Sequence, residues 1–208
     1  FGAELIEFGQ DFDEAKAEAI RLSEAEKLFM VPPYHPQLVL GVASYALELF
    51  TAAPDLDIVY VPIGCGSGIC GLISVRDALG LKTEIVGVVS NQADAAKQSF
   101  EAGRIIETKT AKTFADGMAV RSPVEEAFQM YSKGASRIIS VSDEEIAHAM
   151  RLYYACTHNV AEGSGAASLA AAIQEKQAIK GKKVGLILTG GNIDTQMFAS
   201  VLKGETPS

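Results

Sequence analysis

The residues best suited to chemistry are a run of glycines interleaved with two small polar side chains, Gly64-Cys65-Gly66-Ser67-Gly68. Glycine lets a backbone turn sharply and bring several N–H groups close to a ligand. The apolar run Asp57–Ile63 just before it reads as a strand covered on both faces, and Pro62 is tolerable there because the ladder is ending. Gly68–Leu79 reads as a helix, whose first turn would add the positive end of its dipole. Strand, glycine loop and helix together cradle an anion, such as a phosphate, without Lys or Arg. The stretch Gly66-Ser67-Gly68-Ile69-Cys70-Gly71 also spells the GxGxxG dinucleotide fingerprint. That fingerprint needs an acidic residue at the end of the next strand to hold a ribose. Here the next strand ends Val88-Val89-Ser90-Asn91, and Glu84 lies at its other end. The mismatch argues against a nicotinamide or flavin site and leaves a tight, ligand-free glycine turn as the alternative.

The elements that must position this loop come from a chain of 208 residues with 48% hydrophobic and 21% charged side chains, enough to bury a sizeable core. Net charge is -8, so nucleic acid and anionic membranes are expected to be repelled, and a bound anion must be met by local backbone donors. The odd set Cys65, Cys70 and Cys156 has no zinc or disulfide spacing, as expected of reduced thiols. No signal-peptide pattern and no apolar stretch of about 20 residues is present, which predicts a soluble, cytoplasmic protein. Phe1-Gly2-Ala3-Glu4-Leu5-Ile6-Glu7-Phe8 already reads as a strand, so the chain is expected to begin inside a domain.

Strand-like and helical runs alternate throughout. Asp11–Glu26 is amphipathic, Leu28–Val31 leads into the Pro32–Pro36 segment, and Gln37–Phe50 has a helical period. Glu84–Val89, Arg137–Val141 and Lys183–Leu188 read as further strands, with Ala93–Glu101, Gly163–Glu175 and Asp194–Leu202 as helices. Thr108–Pro123 reads as a long loop around Phe114-Ala115-Asp116-Gly117, and Ser142-Asp143-Glu144-Glu145 has capping-box spacing for a helix running to His158. The alternation predicts an α/β fold, a mostly parallel twisted sheet with helices on both faces. The proline segment suggests a division into residues 1–36, the remainder of a small domain, and 37–208, a large cofactor-binding domain.

Several motifs in order resemble the fold type II pyridoxal-phosphate enzymes, in particular the threonine/serine dehydratase and serine racemase group. Gly2-Ala3-Glu4 resembles that family's Gly-Ala-Glu, and Gly41–Glu48 stands where it has a Gly-Gln-Gly-Thr helix. Val61-Pro62-Ile63-Gly64-Cys65-Gly66-Ser67-Gly68 is similar to its phosphate loop, and Ala115-Asp116-Gly117 to its Ala-Asp-Gly loop. Glu162-Gly163-Ser164-Gly165-Ala166 is similar to its Glu-Pro-x-Gly-Ala segment, and Thr189-Gly190-Gly191-Asn192 to its Ser-Gly-Gly-Asn turn. The resemblance implies pyridoxal phosphate as cofactor, with the amides of Gly64, Cys65, Gly66, Ser67 and Gly68 on its phosphate. Thr189 would face the pyridine nitrogen, and Gly117 and Glu162 would lie near the cofactor, unless Glu162 only caps the following helix. A neutral hydroxyl at Thr189 would make the ring a milder electron sink than a carboxylate would.

Two features of the family are missing. Its Schiff-base lysine lies in a Ser-x-Lys-x-Arg-Gly segment, followed by an Asn-containing loop for the substrate carboxylate, and neither occurs here. Lys112 is the lysine nearest a site loop and reads as solvated. The chain is therefore expected to be the C-terminal part of such an enzyme, with no catalytic residue of its own and an N-terminal portion or chain supplying the lysine. The positions matching a divalent-cation site found in other members are Val89 and Ala95, so no metal is expected. Tyr34 or His35 could contact substrate or form a packed turn, while His148 and His158 read as ordinary helix residues. The implied activity is an ammonia-lyase that removes water from a small β-hydroxy amino acid such as threonine or serine, in a homo-oligomer. A racemase, a β-replacement synthase or a non-catalytic cofactor-binding fragment would share these motifs.

Overall fold

The computed structural model describes residues 2–207, and the chain divides into two compact units, Phe1–Pro33 and Tyr34–Ser208. The first unit is built on helix α1 (Phe12–Glu26). Asp11 caps it, accepting the Glu14 N–H at 3.0 Å, and Lys27 closes it in a left-handed conformation with φ 56°. Glu4–Phe8, strand-like in sequence, carries no ladder among the described residues, and Leu28–Val31 likewise joins no sheet. Period-2 patterning makes a strand only where a neighbour can take its backbone hydrogen bonds. Leu5 and Phe29 are accordingly 81% and 89% exposed.

The second unit contains α2 (Pro36–Ala52), β1 (Ile58–Pro62), α3 (Ser67–Ala78), β2 (Glu84–Ser90) and α4 (Ala95–Ala102). After a short 3-10 turn at Asp116–Met118 come α5 (Glu125–Gly134), β3 (Arg137–Val141), α6 (Asp143–Thr157), α7 (Gly163–Gln174), β4 (Val184–Leu186) and α8 (Thr195–Leu202). All strand pairs are parallel, in the order β3-β2-β1-β4. The α/β architecture expected from the alternation is the one observed.

Side chains of β1 alternate between two cores, as a strand covered on both faces must. Ile58 and Tyr60 pack with residues of α6, α7 and α8, whereas Val59 and Val61 pack with residues of α2, α3 and α5. Helix α5 has no counterpart in the sequence reading. Its inward face is only Ala127, Phe128 and Tyr131, too short a periodic signal to stand out after a Thr- and Lys-rich loop. The capping box at Ser142 and Glu145 forms in full at the start of α6. Helix α7 is buried almost all round, which explains its composition: only Gly, Ala and Ser let it lie this close to the sheet. Ser168 satisfies its hydroxyl there by donating to the Tyr60 carbonyl at 3.1 Å.

At the amino end of the sheet, Arg137 pairs with Glu175 at 2.6 Å and Glu84 at 2.9 Å, and the Tyr60 hydroxyl donates to Glu175. Burial pushes the Glu175 carboxyl up, but hydrogen bonds from Arg137 and Tyr60 outweigh it and hold the group below the usual carboxylate range. The Tyr60 phenol is pushed up to about 12, by burial first and then by Glu175. Glu84, set aside in the sequence as a ribose ligand, is thus committed to this ion cluster.

Candidate functional site

Strand order reverses at β1: the chain steps from β1 to β2 and β3 on one side, then returns to β4 on the other. The crevice at the carboxyl ends of β1 and β4 is therefore the switch point where open parallel sheets form ligand sites. A cavity of about 890 Å³ lies there. Its walls include Gly64, Cys65, Gly66, Ser67 and Gly68 after β1, Leu186 to Thr189 at and after β4, and Gly117, Glu162 and Ser164. The eight positions assigned to the cofactor by the resemblance all line this one space.

The floor of the site is the start of α3. Gly66 is its N-cap in a left-handed conformation, φ 97°, with no side chain to cap the helix. The first intrahelical bond runs from the Cys70 N–H to the Gly66 carbonyl at 3.1 Å. Helix geometry leaves the N–H groups of Ser67, Gly68 and Ile69 without an intrahelical acceptor. Among the described residues no Lys, Arg or His lines the cavity. A dianion here would be held by amides and the helix dipole alone, and the uncapped turn fits a phosphate ester.

The loops close on one another through glycines. A side chain at Gly64 would collide with the Gly117 carbonyl, and a Cβ on Gly117 would stand 2.5 Å from Ser164 Oγ. A Cβ on Gly66 would stand 2.7 Å from that of Ala127, and one on Gly165 would meet the Gly190 carbonyl. Close packing and an anion cradle, opposed as alternatives in the sequence, are two sides of the same backbone.

Glu162 occupies the N-cap position of α7, but its side chain accepts no N–H of that helix. Its carboxylate accepts the Ser164 hydroxyl at 2.8 Å and the Asn192 N–H at 3.1 Å, while its own N–H donates to the Gly190 carbonyl at 3.1 Å. It thus ties the Gly190-Gly191-Asn192 turn to the start of α7. A second cavity of about 210 Å³ shares Gly117, Glu162 and Ser164 and is also lined by Asp116 and Asp194. The Asp116 carboxyl is raised, by partial burial first and then by the charges of Glu162 and Asp194. Val89 and Ala95 are buried in the core, and no metal-holding group of three or more His, Cys, Asp or Glu occurs among the described residues.

His35 caps α2, its Nδ1 accepting the Gln37 N–H at 3.2 Å, and Tyr34 lies beside the Cys70 thiol; neither lines the cavity. Lys112 is exposed and also stands outside it. The wall formed by α2 overlaps Gly41–Glu48, a stretch that carried a motif match in the sequence but was given no site role. Val42, Tyr45, Leu49 and Ala52 fall on one helical face towards the cavity, joined by Ser44 and Glu48. The signal for it was there as helical spacing, but an apolar stripe alone reads as core.

Fold and site together define an α/β domain with a cavity suited to a phosphorylated ligand at the carboxyl ends of its strands. The family model of the pyridoxal-phosphate dependent enzymes matches residues 1–190, and the chain belongs to that family. Pyridoxal phosphate is the family's cofactor. An L-threonine ammonia-lyase of Thermotoga maritima is 33% identical over 97% of the chain and 50% of its own length. A serine racemase of Schizosaccharomyces pombe is 32% identical over 97% of the chain and 63% of its own length. Among solved structures, the processed form of threonine deaminase isoform 2 from Solanum lycopersicum superposes with a TM-score of 0.86 at 29% identity, over 94% of this chain and 58% of that one. The chain spans about half to two-thirds of the length of these relatives. No helix among the described residues is long and apolar enough to cross a membrane.

Proposed function

We propose that the chain is the cofactor-holding part of an ammonia-lyase that removes water from a small β-hydroxy amino acid such as threonine or serine. The observation that carries the reading is the uncapped, cation-free start of α3 lining one cavity together with Thr189. The amides from Gly64 to Gly68 would hold the phosphate, Thr189 would meet the pyridine nitrogen, and Gly117 and Glu162 would border the ring. Bound there, the cofactor would supply the electron sink that makes the substrate's α proton removable. The residues of this chain bind and orient. A neutral hydroxyl at Thr189 would not force protonation of the ring nitrogen as a carboxylate would, which suits loss of a β substituent over transamination. No lysine lines the cavity, so the group that takes the α proton would come from an N-terminal portion or chain. Residues 1–36 would be the remainder of a small domain, and residues 37–208 the large, cofactor-binding one. Cys65, Cys70 and Cys156 form no disulfide among the described residues, which is compatible with a reducing cytoplasm.

Racemisation is the second reading, favoured by the identity to a serine racemase. One assay separates the two. The chain is combined with a segment bearing the catalytic lysine and offered L-threonine and L-serine. Ammonia and the 2-oxo acid in equal amounts are expected. Accumulation of D-serine without ammonia would replace the lyase reading with the racemase one.

A further inference from the structure

The stretch that forms the cradle is intrinsically loose. Positions 64, 66, 68 and 71 are all glycine, and two of these lie within α3, where each costs about 1 kcal/mol of helix stability relative to Ala. A cradle of amides works only if the amides converge before the ligand arrives, so this backbone must be held from outside. One wall of the cavity does so. Helix α2 approaches α3 closely enough that a Cβ on Gly71 would stand 3.2 Å from the Ala43 nitrogen. From the same helix the Tyr45 hydroxyl donates to the Gly68 carbonyl at 3.1 Å. A Cβ on Gly68 would stand 3.6 Å from that hydroxyl, so the phenol rests against the phosphate-binding turn itself.

We infer that Tyr45 is a positioning residue of the phosphate cradle: its hydroxyl fixes the first turn of α3 so that the amides of Ser67, Gly68 and Ile69 point at one oxyanion site. The inference rests on the reading of that turn as the phosphate site. Burial in the cavity wall pushes the Tyr45 phenol well above its ordinary range, which keeps it a neutral donor at every pH relevant to binding. An interhelical tie of purely structural value would also hold α2 to α3, but it would not distinguish a phosphorylated ligand from the same ligand without its phosphate.

That distinction is the test. Dissociation constants of pyridoxal phosphate and of pyridoxal are measured by calorimetry for the 208-residue chain and for Tyr45→Phe, with circular dichroism as the check on folding. The unsubstituted chain is expected to prefer the phosphorylated ligand. Tyr45→Phe is expected to shrink that preference ~3- to 10-fold, the loss of one hydrogen bond, while pyridoxal affinity stays the same. An undiminished preference in Tyr45→Phe, or an equal loss for both ligands, overturns the role of Tyr45 and leaves the phosphate site standing. A chain that binds pyridoxal as tightly as its phosphate overturns the site and this inference with it. Should Tyr45→Phe not fold, titration of the unsubstituted chain with inorganic phosphate decides. Ring resonances of Tyr45 moving together with the amides of Ser67–Ile69 support the link, and ring resonances that stay still while those amides move overturn it.

Discussion

The two ends of the sheet solve opposite problems with opposite chemistry. At the amino end, Arg137, Glu175, Glu84 and Tyr60 saturate one another with hydrogen bonds and ion pairs. At the carboxyl end, α3 begins uncapped and the walls hold no cation. Cations are thus gathered at the amino end, where carboxylates neutralise them, whereas among the described residues only the carboxylates of Glu48 and Glu162 bring charge to the cavity at the carboxyl end. A lysine in the cradle would add Coulomb attraction, but it would be a flexible point charge in a site whose donors are otherwise fixed by the backbone. Mutation at the amino end should then change stability and leave binding alone, whereas mutation in the cradle should change binding.

The largest effect is expected at the binding end. Gly64→Val drives a side chain into the Gly117 carbonyl, a backbone group that cannot swing away. It should destabilise the chain by about 1–3 kcal/mol and weaken pyridoxal phosphate binding more than ~10-fold, measured by thermal melting and calorimetry.

At the other end, Arg137→Met should cost about 1–2 kcal/mol, a modest figure because the Arg137 side chain is 33% exposed and water screens its pairs. Cofactor affinity should be unchanged. The pH profile carries the same information. Glu175 is held below the usual carboxylate range, so its contribution is present above the ordinary carboxylate pKa and is lost as pH falls through the lowered one. Melting temperature against pH should therefore fall less steeply on the acid side in Arg137→Met than in the unsubstituted chain.

The smallest effect should come from Asp116, whose raised carboxyl has the opposite sign. Its neutral form is favoured by folding, so that stability is present at low pH and is lost as pH rises through the raised value. Asp116→Asn should raise the melting temperature by about 1–2 °C near neutral pH and leave it unchanged in acid.

How much of this was legible beforehand differs between the ends in the same way. Period-2 and continuous apolar runs announced all four strands, because burial on two faces leaves a plain pattern in β1 and β2. Glycines made the cradle readable, since few other residues tolerate both the turn at Gly66 and the approach of Gly117 to Gly64. The Arg137 cluster was invisible, because its members come from separate elements and no spacing links positions 60, 84, 137 and 175. The α2 wall was hidden for another reason: Tyr45 looks like any aromatic residue on an amphipathic helix until its hydroxyl is seen against Gly68. Glu4–Phe8 erred in the opposite direction, a strand pattern without a ladder, because period alone does not supply a partner.

The most direct test of the central claim is a proton–nitrogen correlation spectrum of the chain titrated with pyridoxal phosphate. The account predicts that the amides of Gly66, Ser67, Gly68 and Ile69 shift together and saturably, while those of Glu84, Arg137 and Glu175 stay in place. A saturable shift confined to any other surface, with the start of α3 unmoved, would contradict it.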